Sequence, residues 1–327
     1  MKKLYPLKFT PIIKEKLWGG TKLSSILGKE SMSLYDGESW ELSAVPANHS
    51  VVANGALAGT SLPELIGAYK QELIGEYVYD AHGVNFPLLF KFIDAQEDLS
   101  IQVHPNDELA LKRHNSLGKT EMWYIVDADE DASLIVGFNQ QLTPEQYQSH
   151  VDDDTLVDVL NREPVKKHDV LFIPAGRIHT IGKGLLIAEI QQSSDVTYRI
   201  HDFNRKDVHG NTRELHNDLA LEAIDFTLPE SYLTRYDTSE SECIIGQSEY
   251  FSTKRICLEK AIKREFTSES CTVLMCIEGA IEIHDVPELP KIVKGDTVLV
   301  PAAIRELSFN PIGTSIILEV TIPTPIN

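Results

Sequence analysis

Short runs rich in Val, Ile, Leu, Phe and Tyr, punctuated by Gly, Pro, Asn or Asp, recur along the chain and predict β-strands. They fall at residues 86–93, 99–103, 122–126, 133–136, 170–173, 185–190 and 196–200. After a gap the texture returns at 256–258, 272–277, 280–284, 297–300 and 315–320. Helices are fewer. Ser61-Leu62-Pro63-Glu64 reads as a capping box, and Leu62, Leu65, Ile66, Tyr69 and Leu73 follow at helical spacing. Thr143-Pro144-Glu145-Gln146 is a second box, opening a helix that ends before Asp154. Leu156, Val159 and Leu160 predict another short helix, and residues 217–224 one more. The helices lie between groups of strands, not alternately with single strands. That order predicts an all-β core with helical insertions and excludes a βαβ sheet.

One segment echoes another. Residues 168–179, HDVLFIPAGRIH, align with residues 295–306, GDTVLVPAAIRE, through a shared Asp, four mostly apolar residues, Pro and Ala. Both follow strand-rich stretches, which points to two related barrels in tandem. Loop-like residues 227–231 and 237–240 put the boundary near 235, giving units 1–235 and 236–327. Glu306 stands where His179 stands in the first copy, so a metal site using His179 is expected to be lost from the second.

A chain of 327 residues with 42% hydrophobic residues accommodates two such units and a sizeable core. The net charge of −19 argues against nucleic acid and anionic membranes as partners, and any anionic substrate must be met by local basic residues. The four cysteines, Cys243, Cys257, Cys271 and Cys276, form no CxxC pair and fit a reducing cytoplasm. The N-terminal residues lack the apolar core of a signal peptide, and no apolar run approaches membrane-spanning length.

Four clusters carry candidate chemistry. On a strand, Ser100, Gln102 and His104 share one face while Ile101 and Val103 take the other; that fits a polar barrel interior or an ordinary solvent face. Glu121 opens an apolar strand, where a carboxylate is commonly just solvated. Pro174 and Gly176 make a turn that returns His179 toward a strand end. Residues 189–199 form a polar stretch that also reads as a surface hairpin, with Arg199 paired to Asp195 or Asp202. Together Gln102, His104, Glu121 and His179 offer two imidazoles, a carboxylate and an amide oxygen. Such a set suits zinc, and equally manganese, iron or nickel.

In this order the clusters resemble type I phosphomannose isomerases. LSIQVHPND (99–107) and PAGRIHTIGKGLLIAEIQQSSDVTYRIHDF (174–203) carry most of the likeness. GKTEMWYI (118–125), KEKLWGGTKL (14–23) and GESWELSAVP (37–46) support it. The resemblance spans residues 10–225 and looks like the short bacterial branch. It implies a mainly β fold of cupin (jelly-roll, double-stranded β-helix) type, one zinc per chain, and interconversion of mannose 6-phosphate and fructose 6-phosphate. It implies metal ligands Gln102, His104, Glu121 and His179. Arg199 and Glu189 match its active-site arginine and glutamate, and Lys91 and Lys119 match lysines of the same pocket. A further carboxylate near Trp40 is either Glu38 or Glu41. His168 departs from the general cupin pattern, standing where a turn glycine is usual.

The chemistry is coherent. Aldose–ketose isomerisation moves a proton between C1 and C2 through an enediol-like species, and needs a base and an electrophile for the developing oxyanion. Glu189, Lys119 and Arg199 are the catalytic candidates. Lys91, Lys183 and Ser100 are candidates for substrate and phosphate, with Arg177 a weaker one. The expected partner is a small sugar phosphate, and the expected state a monomer or homodimer. The competing readings are a metal-dependent cupin oxygenase and a sugar-binding regulatory cupin.

Overall fold

The computed structural model describes residues 2–31, 33–206, 209–284 and 286–324. Three antiparallel sheets dominate it. A six-stranded sheet has the order Ile12–Gly20, Asp36–Leu42, Leu88–Ala95, Leu185–Gln192, Glu121–Ala128, Val170–Ile173. A five-stranded sheet has the order Tyr198–His201, Ile101–Val103, His179–Thr180, Ser133–Phe138, Leu160–Pro164. An eight-stranded sheet gathers the strands from Glu242–Gln247 to Glu306–Thr321, and the N-terminal strand Leu7–Lys8 joins it by pairing with Thr297–Val300.

The six-stranded sheet is the middle layer, and alternation assigns its two faces. Phe90, Phe92, Ala188, Ile190, Met122 and Tyr124 point one way and pack with Val273, Met275, Leu318 and Val320 of the eight-stranded sheet. Ile93, Ile187, Ile125 and Trp123 point the other way and pack with Leu134 and Val136 of the five-stranded sheet and with Leu99 and Ile181 beside its strands. Burial on both faces explains why Leu88–Ala95 and Leu185–Gln192 are buried at every residue, polar ones included. The outer face of the five-stranded sheet is covered by helices, with Ile101, Val103, Ile135 and Tyr198 meeting Tyr147 and Ala220.

Both capping boxes form, at Ser61/Glu64 before the helix Leu62–Tyr69 and at Thr143/Gln146 before Pro144–Asp152. The first helix does not run on to Leu73 as its spacing predicts. Lys70 adopts φ 49°, the helix breaks, and a new turn Gln71–Ile74 buries Leu73 and Ile74. Residues 272–284, expected as two strands, form one bulged strand, Thr272–Ile283. Leu156–Val159 is a 3-10 turn. Among the described residues no helix is long and apolar enough to cross a membrane.

The internal echo is conformational as well as sequential. His168 and Gly295 both take a left-handed φ, 78° and 89°. Each donates its N–H to a carbonyl of the neighbouring strand, Ile125 or Cys276, at 2.8 Å. The following Asp169 and Asp296 each accept the amide three residues back, from Lys166 at 2.8 Å and Val293 at 3.0 Å. His168 bears the strain of a non-glycine residue here, and its Nδ1 lies 2.9 Å from the Tyr124 hydroxyl.

Candidate active site

The two facing sheets bring the polar clusters together. On the middle sheet Trp40 lies opposite Lys91, Lys91 opposite Glu189, Glu189 opposite Trp123, and Gln191 opposite Glu121. On the five-stranded sheet Arg199 lies opposite Gln102, and Gln102 opposite His179. Each row crosses its sheet on one face, and the two rows face each other across a cavity of about 400 Å³. Its walls include Trp18, Trp40, Lys91, Gln102, Glu189 and Arg199.

Among the described residues, His104, Glu121 and His179 place donor atoms within 4.8 Å of one another, all buried. His104 Nδ1 lies 2.9 Å from the Val196 carbonyl, and His179 Nδ1 lies 2.8 Å from the Arg177 carbonyl. A carbonyl only accepts, so Nδ1 carries the proton in each neutral ring and Nε2 keeps its lone pair. Both Nε2 atoms face Glu121, at 3.8 Å for His104 and 3.2 Å for His179. The Gln102 amide lies 3.3 Å from His179 Nε2. Burial and the Lys119 ammonium keep both imidazoles neutral, the His179 pKa falling to about 3.

Neither oxygen of Glu121 has an aligned hydrogen bond, although the Lys119 ammonium stands 2.9 Å from one of them. Burial pushes this carboxyl up to about 7 against the pull of Lys119. A fully buried carboxylate with only the Lys119 ammonium against it, beside two imidazole lone pairs and an amide, fits a divalent cation of zinc type. The backbone carbonyls that fix the imidazole tautomers are the usual outer partners of such ligands.

The rest of the wall is charged and tightly paired. Glu189 accepts from Trp123 Nε1 at 2.9 Å and contacts Lys91 at 3.0 Å. Burial opposes its ionisation, but Lys91 and Lys119 overcome that and hold its pKa at about 2. Lys91 lies 5.1 Å from the centre of the Trp40 ring. Lys119 Nζ is 3.0 Å from His104 Nε2. Arg199 is held by one nitrogen on the Glu214 carbonyl at 3.0 Å, while its Nε is buried without a partner.

Nine of the ten candidate residues therefore meet at this place: Ser100, Gln102, Lys91, Lys119, Glu189 and Arg199 on the cavity wall, and His104, Glu121 and His179 as the donor cluster. Lys183 does not. It sits exposed on a separate cavity of about 470 Å³ walled by Glu97, Asp98, Asp129, Glu130 and Asp131. It precedes Leu185 at the far end of the strand carrying Glu189, about 20 Å away at strand rise. Carboxylates surround it, and they repel a phosphate. Arg177 lies 5.3 Å from the Tyr232 ring, away from this wall. The choice between Glu38 and Glu41 is settled by alternation: Glu38 shares the cavity face with Trp40, and Glu41 turns away to pair with Lys29 at 2.7 Å. Lys16, Asp195, Thr197 and Arg213 also line the wall. Sequence reasoning did not single them out as site residues; Arg213 comes from an irregular segment with no periodic signal.

The chain matches the family model described as phosphomannose isomerase type I, catalytic domain, over residues 6–137. It is 36% identical over 305 residues to the mannose-6-phosphate isomerase ManA of Bacillus subtilis, covering 92% of this chain and 94% of that one. The crystal structure of a Bacillus subtilis mannose 6-phosphate isomerase superposes with a TM-score of 0.86 at 32% identity, covering 97% of this chain and 99% of the other. A mannose 6-phosphate isomerase bound with zinc and yttrium shares the fold at a TM-score of 0.76 and 16% identity, over 97% and 99% of the two chains. The mainly β architecture expected from the strand pattern, of the cupin type that the resemblance implies, is the architecture of these proteins. The chain belongs to the type I mannose-6-phosphate isomerase (phosphomannose isomerase) family.

Proposed function

We propose that this mannose-6-phosphate isomerase binds its open-chain sugar phosphate in the cavity between the two facing sheets. One zinc ion would be held there by Gln102, His104, Glu121 and His179. The observation that carries the reading is the pair of imidazoles whose Nδ1 atoms rest on backbone carbonyls while both Nε2 atoms face a buried carboxylate. Zinc at this position supplies Lewis-acid polarisation of a sugar oxygen. The cavity's size suits a hexose phosphate. Family likeness and the zinc-bound structure of the same fold support the metal assignment.

The protein side chains divide the remaining work. Lys119 lies between the donor cluster and the cavity, where its ammonium moves protons to and from the sugar hydroxyls. Glu189 accepts from Trp123 Nε1 and contacts Lys91, whose charge favours its ionised form, so it anchors that lysine and the Trp123 ring. Arg199 presents a guanidinium with an unmet donor, matched to charge that grows on the enediolate oxygens. Lys91, Arg199 and Arg213 are the cations of this wall that could meet a phosphate against the net charge of −19, with Lys91 and Arg213 sharing their charge with Glu189 and Asp202. Residues 236–327 read as a second cupin-like unit in which Thr272 and Glu306 stand for Glu121 and His179, so no metal is expected in it. Four free cysteines suit a reducing cytoplasm.

The test is direct. Purified protein is given mannose 6-phosphate and fructose 6-phosphate is followed before chelation, after it, and after zinc is returned. Activity should vanish on chelation and return with zinc; full activity in protein shown to be metal-free would overturn the metal assignment.

A further inference from the structure

Lys119 and Glu121 owe their placement to a short segment, residues 118–120, that enters the strand Glu121–Ala128. Three of its amides are held from outside. Gly118 N donates to Asp107 Oδ1 at 2.7 Å, Lys119 N to the Pro105 carbonyl at 3.1 Å, and Thr120 N to Gln192 Oε1 at 2.8 Å. Gln192 Nε2 donates in turn to the same Asp107 oxygen at 2.9 Å. The other Asp107 oxygen accepts a hydrogen bond from the Tyr250 hydroxyl at 2.7 Å. Tyr250 lies in the turn between Glu242–Gln247 and Ser252–Leu258, far along the chain and outside the cavity wall.

We propose that Tyr250 is a positioning residue for the active site: through Asp107 it fixes the Gly118–Thr120 segment and so the reach of Lys119 and Glu121. The inference rests on the reading of Lys119 and Glu121 as site residues. The segment has no slack of its own. A Cβ on Gly118 would fall 2.6 Å from the Asp107 nitrogen, so the loop already sits against the start of the helix Asp107–His114. Without the Tyr250 hydroxyl, Asp107 keeps the loop but loses one of the three hydrogen bonds on its carboxylate, the one that holds Oδ2. Burial and the neighbouring Asp107 push the Tyr250 phenol up, which keeps it a donor throughout the neutral range. The arrangement gives the C-terminal half of the chain a part in catalysis without contact with substrate. Gln192 closes the clamp onto the strand that carries Glu189.

Tyr250→Phe removes one hydroxyl and keeps the ring. A partner hydrogen-bonded directly to a metal ligand is worth about tenfold or more in activity, and Tyr250 acts one step further out, so the low end of that range is expected. The variant should show kcat lowered about tenfold, KM within twofold, and faster hydrogen exchange at the Gly118 amide in metal-free protein. Asp107→Ala should be slower still, and the double variant no slower than Asp107→Ala alone, because Tyr250 acts through Asp107. Unchanged kcat, unchanged exchange at Gly118, or losses that multiply in the double variant would each overturn the proposal. If the wild type failed to isomerise mannose 6-phosphate, the functional reading would fall, and the clamp would stand or fall on the Gly118 exchange alone.

Discussion

Lys91 and Glu189 face each other across adjacent antiparallel strands, Nζ 3.0 Å from Oε1, with both side chains buried. Removing one partner of such a pair leaves a buried charge uncompensated and costs about 3–5 kcal/mol. Glu189→Gln should therefore lower the urea midpoint at neutral pH. The folded carboxyl titrates at about 2 and the ordinary value is 4.5, so the unfolded chain binds the proton first on acidification. The pair's contribution is complete above about pH 4.5 and fades toward pH 2. Wild type and variant should converge in stability over that window; a gap that stays constant from pH 6 to pH 3 would contradict the assignment.

Glu38 and Glu41 are three residues apart on one strand and predict opposite phenotypes. Glu38 accepts from Trp40 Nε1 at 2.8 Å, contacts Lys16 at 3.3 Å and faces the cavity, so Glu38→Gln should lower kcat/KM about tenfold. Glu41 is paired with Lys29 and both are buried, so Glu41→Gln should lower the melting temperature and leave KM unaltered. Steady-state kinetics and thermal melts on the two proteins read both outcomes, and a reversal would place the wrong carboxylate in the site.

Metal content tests whether the two halves of the chain differ. The echoed turn sets Thr272 in the register of Glu121 and Glu306 in that of His179. Elemental analysis should find one zinc per chain. His104→Ala or His179→Ala should lose that zinc and more than about 100-fold in kcat while the chain stays folded. Two tightly held zinc ions per chain, or a metal-free variant with wild-type turnover, would refute the ligand set.

Arg199 tests where charge develops. Its guanidinium donates to the Glu214 carbonyl with one nitrogen and keeps others for the cavity. Lysine retains the charge but cannot serve both directions. Arg199→Lys should lower kcat on the order of a hundredfold, with KM and melting temperature close to wild type. A raised KM with intact kcat would move Arg199 to the phosphate instead.

Local features were legible from the sequence because their causes are local. The capping boxes at Ser61 and Thr143 satisfy helix amides within three residues, and both form. The strand Val170–Ile173 has the bounds its apolar run predicts. Alternation alone separated Ser100, Gln102 and His104 from Ile101 and Val103, and the former face the site. Glu189, Gln191 and Gln192 read equally well as a surface hairpin, because nothing in a polar run reveals that sheets cover both of its faces. Lys183, a candidate because it is basic, lies on the separate acidic cavity at the far end of the strand that carries Glu189.

Residue order alone was enough for the strand-rich class, the helix starts, the donor types and the turn shared by His168 and Gly295. Each depends on side-chain chemistry or backbone preference over a few residues. Which polar residues came together as a site depended on how the sheets pack. Glu121 and His179 are far apart in the chain, and their meeting 3.2 Å apart depends on how the Glu121 strand and the His179 strand lie in two facing sheets. The same packing removes water from Glu121, His104 and Lys91, and that loss of solvent turns ordinary surface-type residues into neutral imidazoles and tightly paired charges. Pairing register and burial are properties of the assembled sheets, set by contacts between segments distant in sequence.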